Sequence, residues 1–291
     1  MTRSPLKTSR TIRQGELELA SEAFGDPRHR PVLLIMGAMA SMLWWPDEFC
    51  RKSSNGGRYV IRYDNRDTGL STTYDPGKPG YTSADMIDDA VRVLDGYGLP
   101  AAHIVGMSMG GAIAQSVALA YPERVLSLTA ISTSPVGMDT SHLPPATQAY
   151  RDHSAQAGEV DWSEREQAIR SMVEEMRVLA SPTHSFDETS ARKFVERDFD
   201  RAKSFASVTN HFLLERGRER RGRLSDLLVP LLVIHGTADP LFPIEHGEAL
   251  AQAVAGAKLV RLGGGGHELN EAHWPQIIDA IIGTPEATLK L

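Results

Sequence analysis

HIVGMSMGGAIAQSVALAYPERV, residues His103–Val125, decides the fold. It begins as an apolar run of β-type residues and ends as an alanine-rich run of helical type. Between them lies Gly106-Met107-Ser108-Met109-Gly110, with Gly111 following. A chain that turns sharply from a strand into a buried helix has no room for side chains on either side of the bend, so glycine is needed at 106 and 110. Such a bend lifts the Ser108 hydroxyl above the carboxyl ends of the strands. It also sets the Met109 N–H at the positive end of a helix, where developing negative charge is favoured. Glycine-any-serine-any-glycine also arises by chance as a plain turn. The strand before it and the helix after it are what make Ser108 a candidate nucleophile.

The same rhythm extends outward. PVLLIMG (Pro31–Gly37), YVIRYDN (Tyr59–Asn65), VLSLTAIS (Val125–Ser132), PLLVIHG (Pro230–Gly236) and AKLVRLGGGG (Ala257–Gly266) are apolar runs without strict alternation. That composition suits parallel strands covered on both faces. TIRQGELELASEAFG (Thr11–Gly25) alternates in places and suggests a hairpin. Between strands lie helical patterns: TSADMIDDAVRVLDGYGL, with Ser83 as a candidate cap, then EHGEALAQAVAGA and NEAHWPQIIDAII. Alternating strands and helices imply an α/β fold with a mostly parallel central sheet flanked by helices.

From Val136 to Leu227 no strand pattern appears. SEREQAIRSMVEEMRVLA, DETSARKFVERDFDRA and KSFASVTNHFLLERGR have helical spacing instead, punctuated by Pro135, Pro144, Pro145 and Pro182. The expected division is a core of residues 1–135 and 228–291, with a helical insertion at 136–227. Trp162, Met172, Met176, Phe199, Phe205 and Phe212 are candidates either for lining an apolar pocket or for packing the insertion onto the core. Trp44 and Trp45 carry the same ambiguity, one facing the pocket and the other the core.

A serine hydroxyl is a weak nucleophile at neutral pH and needs a base that is itself oriented by a third group. In a sheet of this kind the acid and then the histidine follow the serine, on loops after later strands. Asp239 stands in GTADP just past the PLLVIHG strand, and His267 ends the GGGGH loop after the next strand. Alone, Asp239 is an ordinary turn or capping carboxylate and His267 a surface histidine; their order and strand-end positions support one another. The chain has ten histidines. His103 precedes a strand, His235 is packed at the end of one, and His211 lies in the insertion, so none of these occupies the base's place. A second oxyanion donor belongs on the loop after an early strand, where Gly37 ends PVLLIMG and the Ala38 N–H pairs with that of Met109; the plain alternative is a tight turn.

Composition bounds the rest. The 291 residues are 41% hydrophobic and 23% charged, with a net charge of −6, which disfavours a nucleic-acid partner. The basic cluster ERGRERRGR (Glu215–Arg223) mixes five arginines with two glutamates and is expected to be a solvated helix end or linker. Cys50 is the single cysteine, so no internal disulfide forms, and its setting in WPDEFC suggests a small buried hydrophobe. The N-terminal segment lacks a signal-peptide core and no run is long enough to span a bilayer, which makes a cytoplasmic location the default. Oligomeric state is not legible.

These residues resemble the α/β-hydrolase superfamily over nearly the whole chain, with the insertion resembling its helical cap. LWWPDEF and RYDNRDTGLSTTYDPGKPGYTSADMIDDAVRVLDGYGL are similar to the aclacinomycin methylesterase branch. The resemblance implies a Ser108–Asp239–His267 triad, an oxyanion hole from Ala38 and Met109, and a structural turn beneath the site from Asp64, Arg66 and Gly69. Met36-Gly37 departs from the His-Gly of many relatives, which calls into question the usual histidine packing behind the oxyanion loop. The expected activity is hydrolysis of small to medium apolar carboxylic esters through an acyl-enzyme, with no metal or organic cofactor. Carbon–carbon bond hydrolysis and cofactor-free perhydrolysis are alternatives on the same triad. A ligand receptor with slow residual hydrolysis ranks below them.

Overall fold

A computed structural model describes residues 7–156, 160–217 and 222–287. Residues 218–221, in the middle of the basic cluster, and residues 1–6 of the N-terminal segment lie outside it.

Eight strands form one sheet in the order β1-β2-β4-β3-β5-β6-β7-β8. The antiparallel hairpin β1 (Lys7–Gln14) and β2 (Leu17–Phe24) supplies one edge and joins β4 (Arg58–Tyr63) antiparallel. From there every pair is parallel: β3 (Arg30–Ile35), β5 (Ala102–Met107), β6 (Val125–Ile131), β7 (Leu231–Gly236) and β8 (Lys258–Leu262). His103 sits inside β5 rather than before it. Its imidazole is partnered there by the Ser127 hydroxyl of β6 at 2.7 Å, which lets a polar ring occupy a fully covered strand.

The runs read as buried on both faces divide their side chains between two cores. Leu33, Ile35, Ile104 and Val233 point to one side, where α2 (Ser83–Gly96), α3 (Met109–Ala120) and α7 (Ile244–Ala253) cover them. Val32, Leu34, Val105, Leu232 and Ile234 point to the other, against α1 (Asp47–Asn55) and α8 (Trp274–Ile282). Alternation at period two is present but carries no polarity, because neither face meets water. Cys50 and Trp45 are both fully buried in the second core. Burial pushes the Cys50 thiol up to about 12, so it is a packing group. The cap of α2 is Thr82 rather than Ser83: its hydroxyl accepts the Asp85 N–H while the Asp85 carboxylate accepts the Thr82 N–H.

Between β6 and β7 the chain leaves the sheet and forms α4 (Gln148–Gln156), α5 (Arg165–Leu179) and α6 (Glu188–Arg201). α5 and α6 enclose a small apolar core of their own, with Ile169, Met172, Val195 and Phe205 buried in it. The segment expected to be a third long helix is a run of 3-10 turns at Phe205–Phe212. Its polar side chains explain the tighter winding. Ser207 donates to the Tyr74 carbonyl, Asn210 holds Asp67 and the Asp75 carbonyl, and His211 reaches two further backbone groups. These tertiary bonds override helical spacing. Phe212 is 69% exposed. No described helix is long and apolar enough to cross a membrane.

Candidate active site

The strand-to-helix bend is as tight as its glycines imply. Ser108 stands at φ 55°, ψ −121°, outside the region a side-chain-bearing residue ordinarily occupies. A Cβ on Gly106 would lie 2.7 Å from the Gly111 nitrogen, and one on Gly110 would lie 2.7 Å from the Met36 oxygen. A methyl group has no such room against backbone. The bend is pinned from β6: the Ser108 N–H donates to the Ile131 carbonyl at 3.0 Å, and the Thr133 hydroxyl donates to the Ser108 carbonyl at 2.9 Å.

The loop after β3 packs directly on the serine. A Cβ on Gly37 would come within 3.1 Å of the Ser108 Cβ. Met109 is the first residue of α3, so its N–H has no intrahelical acceptor. The Ala38 N–H makes no hydrogen bond among the described residues. The neighbouring Met39 N–H is taken, donating to His211 Nδ1 at 3.0 Å. The two segments that meet at Ser108, the loop after β3 and the start of α3, thus each carry a backbone N–H with no acceptor among the described residues.

Asp239 and His267 come together. His267 Nδ1 donates to Asp239 Oδ2 at 2.8 Å, and Oδ1 accepts the N–H groups of Leu241 and Phe242 at 2.9 and 2.8 Å. Both residues are buried. Burial acts to raise the Asp239 pKa. The facing His267 and His235 rings, the hydrogen bond from His267 and the Phe242 N–H outweigh it, so the carboxyl sits below its ordinary value. The two loops are stitched together as well, the Ala238 N–H donating to the Gly265 carbonyl and the Gly264 N–H to the Thr237 hydroxyl. Among the described residues the Ser108 hydroxyl makes no hydrogen bond.

The insertion grips this site at two places. At the end of α5 the Leu179 carbonyl accepts the His267 N–H at 2.8 Å, and the Ser181 N–H donates to Glu268 at 2.7 Å. A Cβ on Gly266 would lie 2.6 Å from the Ser181 nitrogen and one on Gly264 2.7 Å from the Thr183 side chain, so these two glycines let the loop pass against the insertion. From α6, Arg201 pairs with the fully buried Asp64 at 3.1 and 2.7 Å, and Asp64 also accepts the N–H groups of Met42 and Leu70. Asp198 accepts from Ser41 and from Trp44 Nε1. Trp44 packs edge-on to Phe194 of the insertion, 5.1 Å between ring centres, while Trp45 faces the core.

The turn expected beneath the site has a buried framework. Arg66 makes a two-point bond to Asp89 at 2.7 and 2.9 Å, and Asn65 Nδ2 donates to the Met36 carbonyl at 3.1 Å. His235 is packed at the end of β7 as expected, but the partners of two histidines, His235 and His211, were not legible in the sequence. His235 Nε2 donates to the Phe242 carbonyl at 2.7 Å and lies 3.6 Å from Asp239 Oδ2; burial lowers its pKa. His211 packs on the loop after β3, its ring held between the Met39 N–H and the Arg66 carbonyl. No local signal marks it, since its partner Met39 lies 172 positions away. Among the described residues no cluster of potential metal ligands occurs.

A family model described as the alpha/beta hydrolase fold matches residues 30–273. Rhodomycin D methylesterase DnrP of Streptomyces peucetius is 34% identical over 279 residues, covering 90% of this chain and 92% of the relative. Rhodomycin D methylesterase DauP of Streptomyces sp. strain C5 is 33% identical over 276 residues with the same coverage. In three dimensions the chain is similar to the esterase EaEST of Exiguobacterium antarcticum, with a TM-score of 0.76 at 20% identity, covering 94% of this chain and 98% of that one.

Proposed function

This chain belongs to the alpha/beta hydrolase family, and from that premise we propose that it is a serine hydrolase cleaving carboxylic esters through an acyl-enzyme. The observation that carries the reading is the Asp239–His267 hydrogen bond standing at the same sheet edge as a serine held at positive φ. His267, oriented by Asp239, takes the proton of Ser108 as its oxygen attacks the ester carbonyl. The Ala38 and Met109 N–H groups hold the oxyanion, His267 returns the proton to the departing alcohol, and the acyl group stays on Ser108. Water, deprotonated by His267, then releases the acid. The Ser108–His267 contact closes as the substrate enters, a tightening common in such sites. α4, α5 and α6 act as a cap at residues 136–227 over the core.

Methyl esters are the first substrates to try, because two relatives sharing a third of their residues with this chain are methylesterases. The test is a panel of methyl and p-nitrophenyl esters of rising acyl length, run on wild type and Ser108→Ala. Turnover by wild type and a loss of at least about 1,000-fold in the variant support the reading. Equal turnover by both proteins removes Ser108 from its role. A clear preference for dicarbonyl substrates over every ester moves the assignment to carbon–carbon bond hydrolysis.

A further inference from the structure

The oxyanion loop contains three successive peptide groups, two of them pinned and one free. The Met36–Gly37 peptide is held through its carbonyl by Asn65 Nδ2 at 3.1 Å. The Ala38–Met39 peptide is held through its N–H by His211 Nδ1 at 3.0 Å. Between them, the Gly37–Ala38 peptide keeps its N–H unbonded among the described residues. Met39 itself stands at φ 63°, a left-handed conformation that costs on the order of 1–3 kcal/mol and persists only where neighbours enforce it.

The chemistry of the contact fixes the state of the ring. A backbone N–H can only donate, so Nδ1 is the acceptor and carries no proton. Nε2 lies 2.8 Å from the Arg66 carbonyl, which can only accept, so Nε2 carries the proton. His211 is therefore a neutral ring of one tautomer, and its burial, which lowers its pKa, works in the same direction. Arg66 is in turn clamped to Asp89. The loop thus leans on a rigid chain of groups running from α2 through Arg66 and His211 to Met39.

We propose that His211, reaching in from the insertion, is a positioning residue of the oxyanion hole that fixes the Gly37–Ala38 peptide with its N–H available to the tetrahedral intermediate. The proposal rests on the serine-hydrolase reading and adds to it a reason why the insertion matters for the rate as well as for substrate fit. Without the Nδ1 acceptor, the Met39 N–H loses its partner at a half-buried position, and the 37–39 loop turns to satisfy it. The Ala38 donor is then misaimed in the transition state, whereas ground-state binding of the ester is little affected.

His211→Asn and His211→Gln separate this role from simple docking of the insertion. Asparagine keeps an acceptor near the Nδ1 position. Glutamine reaches the Nε2 position and serves Arg66 but leaves Met39 unpaired. Asn210→Ala removes the neighbouring ties to Asp67, the Asp75 carbonyl and the Gly77 N–H, without touching Met39. On the ester turned over best by wild type, His211→Gln is expected to lower kcat by about 10- to 100-fold with KM within about 3-fold. His211→Asn is expected to recover most of kcat, and Asn210→Ala to leave it within about 3-fold of wild type. Equal kcat in the Asn and Gln variants, or an Asn210→Ala loss as large as that of His211→Gln, overturns the proposal. Imidazole 15N shifts of unmodified protein give an answer that needs no variant: Nδ1 of His211 is expected to be unprotonated at neutral pH, and the opposite tautomer overturns the proposal. Ser108→Ala, assayed alongside, keeps the two ideas apart. If it turns over ester normally, the serine reading fails; if it is inert while His211→Gln works at the wild-type rate, only the role of His211 falls.

Discussion

Asp239 Oδ2 lies 2.8 Å from His267 Nδ1, and the other carboxylate oxygen is held by two backbone N–H groups of its own loop. The carboxylate therefore cannot swing away, and the imidazole is left with Nε2 as its free nitrogen. Asp239→Asn preserves the shape but removes the charge and allows the wrong tautomer. In the proposed mechanism kcat falls by about 10,000-fold, with a folded protein of near-normal melting temperature. Steady-state kinetics beside a thermal melt check this, and a loss below about 10-fold argues against an oriented His267 as the base.

Gly106→Ala tests the bend itself. Its added methyl group would press on the Gly110–Gly111 backbone, with the Gly111 nitrogen at 2.7 Å. Both partners belong to the first turn of a buried helix and cannot yield cheaply. The variant is expected to lose more than about 4 kcal/mol of stability or to fail to accumulate as folded protein. A urea midpoint near that of wild type contradicts the packing described for this turn.

Arg201→Ala tests the anchor between α6 and the core. It strips a two-point partner from a carboxylate with no exposure to solvent. Removing one member of such a pair costs about 3–5 kcal/mol, because the other is left buried and uncompensated. Asp64 still has the Met42 and Leu70 N–H groups, so the lower end of that range is expected in a urea titration. A change under about 1 kcal/mol would mean that the ion pair contributes little to holding the insertion.

Stability is also expected to depend on pH in a fixed direction. Burial first, and then the Arg58 charge, lower the His103 pKa from its ordinary 6.5 to about 4. His211 and His235 are shifted the same way by burial. Below 6.5 the unfolded chain takes up protons that the folded chain refuses. The stabilisation is thus complete above 6.5 and is lost as pH falls from there toward about 4, with His103 contributing on the order of 3 kcal/mol. Urea midpoints are expected to agree at pH 7 and 8 and to drop between pH 6.5 and 4.5, less steeply in His103→Gln. A midpoint constant over that acid range contradicts this account.

The strands, the bend at Ser108 and the loops bearing Asp239 and His267 were legible because each depends on neighbours in sequence: an apolar run, a pair of glycines, a polar turn after a strand. The contacts made by the insertion were not. Met39 and His211, or Asp64 and Arg201, are joined only by the folded chain, and their own segments look like ordinary loop and helix. The 3-10 winding of Phe205–Phe212 escaped for the same reason, since side-chain bonds to residues 66–77 impose it. Trp44 and Trp45 show the limit most simply. Adjacent and identical in type, one packs on the insertion and the other in the core, and only the turn between them decides which.

The central claim is that the oxygen of Ser108 attacks substrate with His267 as its base. Intact-mass analysis after brief exposure to a diethyl p-nitrophenyl phosphate probe, followed by peptide mapping, tests it most directly. The account predicts one diethylphosphoryl adduct per chain, located on Ser108, absent from Ser108→Ala and formed at least about 100-fold more slowly in His267→Ala. An adduct on another residue, or unchanged labelling in either variant, would contradict it.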